Sequence, residues 1–285
     1  MSTPLQIKDS NALLSDDIAG THRREVIEGI APDPDQLEAF DRDGYVIAKG
    51  LLDASTLEAM NTILRDCLGP TGRNNFEGFK TQRAYALLAK SERLGVLAAH
   101  PQVLGFLKER LHEQPLLSAF LAINIGPGED EQLAHFDDGF YQAPRPGPVQ
   151  GLSVIWALDP FTTETGATRV WPGSHLWPNG RTPTDDDPSL QAVMEAGDAI
   201  IFNGALWHAG GANTTHDRYR LAVTAQYCAP WLRTQENMNL AVPPEKVADL
   251  PAPLPSLLGY QIHPPFMGHV NGMHPKRLLG LEASL

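Results

Sequence analysis

The 285-residue sequence contains little cysteine, and it has no long apolar run. Its two cysteines, Cys67 and Cys228, are too few for the disulfide framework of a small secreted protein, so we interpret them as reduced thiols of an intracellular protein. No segment approaches the ~20 consecutive apolar residues that a membrane helix needs. The first residues also lack the apolar centre of a secretory signal. We therefore expect a cytoplasmic protein without membrane contact.

Basic charge is also scarce, with 22 Lys and Arg against 34 Asp and Glu and a net charge of -12. Proteins that bind nucleic acid usually carry a basic face, and anionic membranes attract basic patches. The charge balance argues against both kinds of partner and favours a small-molecule substrate. The sequence does not indicate an oligomeric state.

The distribution of patterns along the chain predicts one domain after a polar leading segment. Residues 1–34 are polar and are predicted to be loosely ordered. Residues 35–285 are predicted to form a single domain with a helical part over about 35–115 and a strand-rich core over about 116–230. The proline-rich remainder, 231–285, is expected to wrap the surface as extended chain.

The pattern of apolar residues changes from helical to strand-like near residue 116. Helical spacing follows a capping box at Ser55, and further helices are predicted over 80–90 and 101–112, with a short strand over 45–48. The later strand-like segments are bounded by Gly, Pro and Asp. They are residues 116–125, 132–137, 150–158, 168–171, 198–203, 205–208 and 219–227. Many short strands without intervening helices predict a mainly β protein with flanking helices, most simply a jelly roll.

A histidine and a carboxylate lie two residues apart in one of these strand-like segments. Side chains alternate along a strand, so His135 and Asp137 should point to the same face and could bind one ion together. Two histidines and one carboxylate bind one face of Fe(II) and leave the other positions open. A third ligand should come from another strand, and the buried strand 198–203 leads through a turn to His208.

An arginine on the last strand is placed to recognise a carboxylate. A 2-oxo diacid that chelates iron through its keto oxygen and near carboxylate has a far carboxylate, and the planar guanidinium of arginine binds such a group through two hydrogen bonds. Arg220 shares one face of its predicted strand with Thr224 and Gln226. Arg218 has the same parity but lies nearer the start of the strand, which makes it the second candidate.

Several short motifs occur in a fixed order around these residues. The motifs are Gln132-Leu133-Ala134-His135-Phe136-Asp137, Trp156-Ala157-Leu158-Asp159, Thr163-Glu164-Thr165-Gly166-Ala167-Thr168, Pro172-Gly173-Ser174-His175, Gly197-Asp198 and Trp207-His208, followed by Arg220. In this order they resemble the phytanoyl-CoA dioxygenase family of 2-oxoglutarate oxygenases, from about residue 37 to residue 229. A histidine and an aspartate in this spacing are common by chance, whereas the ordered set is specific.

The resemblance implies a double-stranded β-helix, a cupin-like jelly roll, that uses Fe(II), 2-oxoglutarate and O2. It implies that His135, Asp137 and His208 are the iron ligands and that Arg220 anchors the co-substrate. Gln132 and Trp156 match positions that commonly line the co-substrate pocket. Many members have a hydroxyl residue where this chain has Gly210, so a hydrogen bond made there would come from Thr168 or Thr224 instead.

Four further residues are expected to contact the substrate. Phe140 and Tyr141 follow the predicted ligand Asp137, and Trp207 adjoins His208, although packing in the core is the other interpretation of these rings. Arg83 is the fourth, with a solvated helical arginine as its alternative.

The expected reaction is oxidation, most simply hydroxylation, of a C–H bond in a small molecule, with release of succinate and CO2. Only Arg73, Lys80 and Arg83 come near a basic cluster for the phosphates of coenzyme A, so a lipophilic metabolite is favoured as substrate. Two alternatives remain open. One is a cupin-like metalloenzyme that uses no 2-oxo acid, and the other is a non-catalytic member of the fold that binds a small molecule.

Overall fold

The computed structural model describes residues 26–280, and everything below concerns these residues. Most of the predicted leading segment, 1–34, lies outside them. Within this range no helix has both the length and the apolar character needed to cross a membrane.

Along the chain, helices precede and follow a strand-rich centre, and most of them are short. They are α1 (Pro34–Asp43), α2 (Ala54–Cys67), α3 (Leu87–Lys90), α4 (Gly95–Ala98), α5 (Pro101–Arg110), α6 (Met238–Ala241), α7 (Pro244–Val247) and α8 (Leu254–Leu257). The strands are β1 (Tyr45–Ala48), β2 (Thr81–Ala84), β3 (Leu116–Ile125), β4 (Gly151–Ala157), β5 (Thr168–Val170), β6 (Leu190–Ala192), β7 (Ala199–Asn203), β8 (His208–Ala209) and β9 (Arg220–Cys228).

These strands form two antiparallel sheets. The larger sheet has six strands in the order β1-β7-β4-β9-β3-β2, and the smaller one has three in the order β6-β5-β8. The smaller sheet is extended at β8, where His135 pairs with His208 through two backbone hydrogen bonds of 2.9 and 2.8 Å. The predicted fold, a mainly β jelly roll with flanking helices, is confirmed.

The larger sheet is covered on both faces. On one face Trp156, Tyr227 and Leu117 pack in the main apolar core, to which α2, α3, α4, α5 and α8 contribute. On the other face Ile155 and Ala222 belong to a smaller apolar cluster that faces the three-stranded sheet. Because side chains alternate along each strand, this arrangement decides which residues of β4 and β9 can reach the space between the sheets.

Several local predictions differ from the structure. Residues 80–90 are not one helix, because β2 pairs along β3 and only α3 is helical; pairing with a neighbouring strand overrides the local helical pattern. The cap of α2 is Asp53 rather than Ser55, and its carboxylate accepts a hydrogen bond of 2.7 Å from the backbone of Thr56. The segment after β9 contains the one-turn helices α6, α7 and α8 in addition to extended chain.

Candidate active site

The structure brings the three predicted metal ligands together. The ligand atoms of His135, Asp137 and His208 all lie within 4.8 Å of one another, and Nε2 of His208 is 3.7 Å from Oδ1 of Asp137. His208 opens β8 and His135 lies opposite it, whereas Asp137 begins a 3-10 turn. The strand predicted over 132–137 is therefore reduced to a bridge, yet the two side chains still share one face.

Hydrogen bonds from the protein orient both imidazoles. Nδ1 of His135 lies 2.9 Å from the carbonyl of Leu133, and Nδ1 of His208 lies 3.0 Å from the carbonyl of Leu206. A carbonyl only accepts, so each Nδ1 carries the proton and each Nε2 is left as a metal-binding lone pair. Burial also lowers the pKa of His208, which keeps this ring neutral.

A serine that the sequence analysis missed orients the carboxylate. The hydroxyl of Ser153 donates a hydrogen bond of 2.5 Å to Oδ2 of Asp137, while Oδ1 faces His208. Ser153 lies in β4, whose residues are buried throughout. Its signal in the sequence was a single hydroxyl residue within an otherwise apolar strand. Two oriented imidazoles and one fixed carboxylate form the donor set that suits Fe(II) in a three-ligand site.

Arg220 and the three predicted metal ligands line one cavity, which has a volume of about 730 Å³. The side chain of Arg220 is buried and donates a hydrogen bond of 3.0 Å to the carbonyl of Gly166, and its guanidinium stacks 4.1 Å from the ring centre of Phe161. Burial lowers the pKa of Arg220 to about 9, so it remains charged at neutral pH. Its Nε is buried without a hydrogen-bond partner in the described part of the chain. A buried cation with a spare donor fits an incoming carboxylate.

Arg218, the second candidate, is placed differently. It is half exposed and forms an ion pair with Glu164. It does not line the cavity that contains Arg220. The structure thus separates two arginines that strand parity alone could not distinguish.

Gln132, Thr168 and Thr224 also line this cavity. Neither threonine hydroxyl makes a hydrogen bond within residues 26–280, so both are available to a ligand. Gln132 donates to the carbonyl of Phe76 at 3.1 Å and accepts from the backbone of Gly210 at 3.2 Å. A side chain at Gly210 would begin 3.1 Å from the amide oxygen of Gln132, so the departure from the family pattern leaves room for this glutamine.

The cofactor contact predicted for Trp156 is wrong. Ser153 and Ile155 occupy the cavity face of β4, and alternation places Trp156 on the opposite face. There it is fully buried in the main core, with its ring centre 5.3 Å from that of His100.

Two predicted substrate contacts are also corrected. Trp207 packs beside Phe136 in an apolar cluster, with ring centres 5.0 Å apart, and does not itself line the cavity. The hydroxyl of Tyr141 donates to the carbonyl of Arg233 at 3.0 Å, and its side chain lines a separate recess. Trp207 adjoins His208 in sequence and Tyr141 follows Asp137, but the backbone directs both side chains away from these ligands.

The other two predicted substrate residues do line the cavity. Phe140 is at its mouth and is 73% exposed. Arg83 extends from β2 and not from a helix; it donates to the backbone carbonyls of Glu77 and Phe76, each at 3.2 Å. Burial lowers the pKa of Arg83.

The remaining wall of the cavity comes from residues that sequence reasoning did not select. Phe76, Phe79, Tyr85 and Leu133 are exposed apolar side chains around the mouth. Gln226, Gln235 and Glu236 add polar groups, two of them from the chain that follows β9. No local pattern marks such residues, because distant segments bring them together only in the folded chain.

A half-buried arginine, Arg145, contacts both ligand-bearing segments. The guanidinium of Arg145 lies 4.1 Å from the ring centre of Phe136, the residue between His135 and Asp137. It also donates to the carbonyls of Ser174 and Ala205, at 2.9 and 2.6 Å.

Ser174 and Asp138 complete the packing behind the ligands. The hydroxyl of Ser174 accepts a hydrogen bond of 2.9 Å from the backbone of Trp207, next to His208. The side chain of Asp138 accepts one of 3.2 Å from the backbone of Gly151. Burial, together with the charge of Asp137, raises the pKa of Asp138 to about 7.

The chain is similar in sequence to a known family and to several dioxygenases. The family model for phytanoyl-CoA dioxygenase matches residues 40–222. The dioxygenase andF of Emericella variicolor is 28% identical over 246 residues, which cover 81% of this chain and 85% of that protein. The dioxygenase swnH1 of Metarhizium robertsii is 28% identical over 272 residues, which cover 86% of this chain and 88% of that protein.

Solved structures share the fold. HygX from Streptomyces hygroscopicus, with nickel and 2-oxoglutarate bound, superposes with a TM-score of 0.62 at 16% identity, over 72% of this chain and 90% of that chain. SnoN, an α-ketoglutarate-dependent epimerase from nogalamycin biosynthesis, has a TM-score of 0.58 at 23% identity, over 70% of this chain and 85% of that chain.

Proposed function

The chain belongs to the phytanoyl-CoA dioxygenase family, and we propose that it binds Fe(II) through His135, Asp137 and His208 and anchors 2-oxoglutarate at Arg220. It is a non-haem iron dioxygenase that depends on 2-oxoglutarate. The observation that carries the residue assignment is the shared cavity. A three-ligand cluster and a buried arginine with an unpartnered donor both line it.

The iron, when bound with 2-oxoglutarate and O2, supplies the oxidising power of the reaction. The protein's own residues bind and orient. The two Nδ1 hydrogen bonds and the hydroxyl of Ser153 direct the ligand atoms to one point. Arg220 holds the far carboxylate of the co-substrate, and Thr168 and Thr224 offer hydroxyl donors beside it. The buried apolar walls keep water away from this end of the cavity.

Hydroxylation of a C–H bond in a small molecule with an apolar body is the outcome we propose. The exposed rings around the mouth provide apolar contact for such a body. Epimerisation, the activity in the name of SnoN, needs a group that returns a hydrogen atom, such as a thiol or a phenol. Among the described residues that line the cavity the phenol is Tyr85, at the mouth, and there is no thiol.

Anaerobic titration of the protein with Fe(II) and then 2-oxoglutarate tests the proposal. We expect the weak visible charge-transfer band of the iron chelate to appear at one equivalent of each. Iron binding without the band would favour a cupin-like enzyme that uses no 2-oxo acid. Absence of iron binding would favour a non-catalytic member of the fold.

A further inference from the structure

Three carboxylates that line the cavity, Glu129, Asp130 and Glu236, form no ion pair within residues 26–280. Glu129 accepts hydrogen bonds from the backbone of Lys80 and the hydroxyl of Thr81, and Asp130 is exposed, whereas Glu236 is half-buried. Glu77 pairs with Arg73 at 3.0 Å, and Glu131 pairs with Arg169 at 3.2 Å. Asp137 and Arg220 are committed to iron and 2-oxoglutarate in the proposed function.

The backbone holds Glu236 in place. The chain after β9 returns along β3, where the backbone of Glu236 donates to the carbonyl of Ser118 at 2.8 Å. One oxygen of its carboxylate accepts from the backbone of Ala86 at 2.9 Å, and the other accepts from the backbone of Phe120 at 3.5 Å. An ionised carboxylate has about four acceptor positions, so roughly two remain for a ligand. Burial raises the pKa of Glu236, as expected for a charge without a counter-ion.

A second polar group lies at the same end of the cavity. Gln226 of β9 is directly opposite Ser153 of β4 on one side and Ala119 of β3 on the other. Its side-chain amide makes no hydrogen bond within the described part of the chain. Glu236 is hydrogen-bonded to β3, and β3 is two strands away from β4, which carries the serine that orients the metal ligand; this corresponds to about 10 Å between the two strands. The rest of this end is largely hydrocarbon, including Ala119 and Leu121.

We propose that the substrate carries a protonated amine on an apolar body, with the ammonium group bound by Glu236 and Gln226. This inference rests on the proposed function and specifies its substrate class. The apolar body lies between this polar end and the iron, in contact with the rings at the mouth. The net charge of the protein, -12, adds a long-range attraction for a cation.

Three compounds with the same hydrocarbon cage and different charge test this inference. They are 1-aminoadamantane, 1-adamantanol and adamantane-1-carboxylate, titrated calorimetrically into the anaerobic protein with Fe(II) and 2-oxoglutarate. We expect the amine to bind at least about tenfold more tightly than the carboxylate, since only the amine can donate charged hydrogen bonds to Glu236. Glu236→Gln, which removes the charge at nearly constant size, should weaken the amine about tenfold and leave the alcohol nearly unchanged.

Glu245→Gln is the matched control, because Glu245 is exposed on α7 and does not line the cavity. It should leave all three affinities as they are. Equal or tighter binding of the carboxylate would overturn the proposal. An equal loss of affinity for all three compounds in Glu236→Gln would also overturn it. That result would mean that Glu236 only attaches the returning chain to β3. The chelate band recorded before any compound is added reports on the proposed function separately.

Discussion

The two ends of the cavity are built in different ways. At the end with the proposed iron and co-substrate sites, Arg220 is 3% exposed and His208 is 5% exposed, and both project from paired strands. At the mouth, Phe140 is 73% exposed and Leu133 is 83% exposed, and both lie outside the regular strands. Chemistry that must be positioned accurately is placed on the rigid sheets, and contacts that can adapt to a substrate are placed on loops.

The two ends should also differ in the free energy that a substitution costs. A buried polar group that loses its partner costs about 1–3 kcal/mol, and more if it is charged. An exposed ring that is removed costs far less, because water already reaches it. Substitutions should therefore have large effects at the strand-built end and small effects at the mouth.

The largest effect is expected for His208→Ala. A three-ligand site has no spare ligand, so iron-dependent turnover of 2-oxoglutarate should be abolished and iron affinity should fall sharply. Iron binding by anaerobic titration and succinate release measure the two consequences. Near-normal iron affinity in this variant would remove His208 from the site.

The next largest effect is expected for Arg220→Ala. Breaking a buried charged pair costs about 3–5 kcal/mol, so affinity for 2-oxoglutarate should fall several hundred-fold or more. Arg218→Ala is the matched control, because its ion pair with Glu164 is exposed and such pairs contribute about 0–1 kcal/mol. Equal effects in the two variants, measured from the co-substrate dependence of the chelate band, would contradict the assignment.

A smaller effect is expected for Ser153→Ala. Loss of the hydrogen bond to Asp137 should lower iron affinity about 10–100-fold, as is usual when a group that orients a metal ligand is removed. Ser189→Ala is the control, since that hydroxyl accepts from Arg169 outside the cavity. Unchanged iron affinity in Ser153→Ala would show that Asp137 needs no support from β4.

The sequence predicts the strand-built end of the cavity better than its mouth. The grouping of His135, Asp137 and His208 could be predicted, because a two-residue spacing places the first two on one face of a strand and the ordered motifs mark the third. The choice of arginine for the co-substrate carboxylate could be narrowed to Arg220 and Arg218. The alternation of side chains along β9 does not show which of the two is covered by the turn at Gly166.

Other placements could not be predicted, because they depend on contacts between distant segments. Trp156 and Trp207 adjoin functional residues in sequence, but their direction is set by the alternation of β4 and by the packing of Phe136. Residues 80–84 have a helical pattern and become a strand only because β3 offers an edge. Glu236 reaches the cavity through the returning chain, and no motif marks it.

The smallest effect is expected at the mouth, for Phe140→Ala. Because this ring is 73% exposed, the free energy of unfolding should change by less than about 0.5 kcal/mol. Affinity for 2-oxoglutarate should stay unchanged, while binding of an apolar probe such as 1-adamantanol should weaken by only about two- to fivefold, in keeping with partial burial of one ring.

Phe202→Ala provides the matched contrast, because this ring is 1% exposed and its centre is 4.7 Å from that of His208. It should destabilise the fold by about 3–5 kcal/mol, which denaturant unfolding would detect. If Phe140→Ala destabilised the protein as much as Phe202→Ala, or removed binding of 2-oxoglutarate, the mouth would be part of the rigid site. Since Phe140 is only three residues beyond Asp137, a normal chelate band in Phe140→Ala would place the boundary between the two ends within the 3-10 turn Asp137–Phe140.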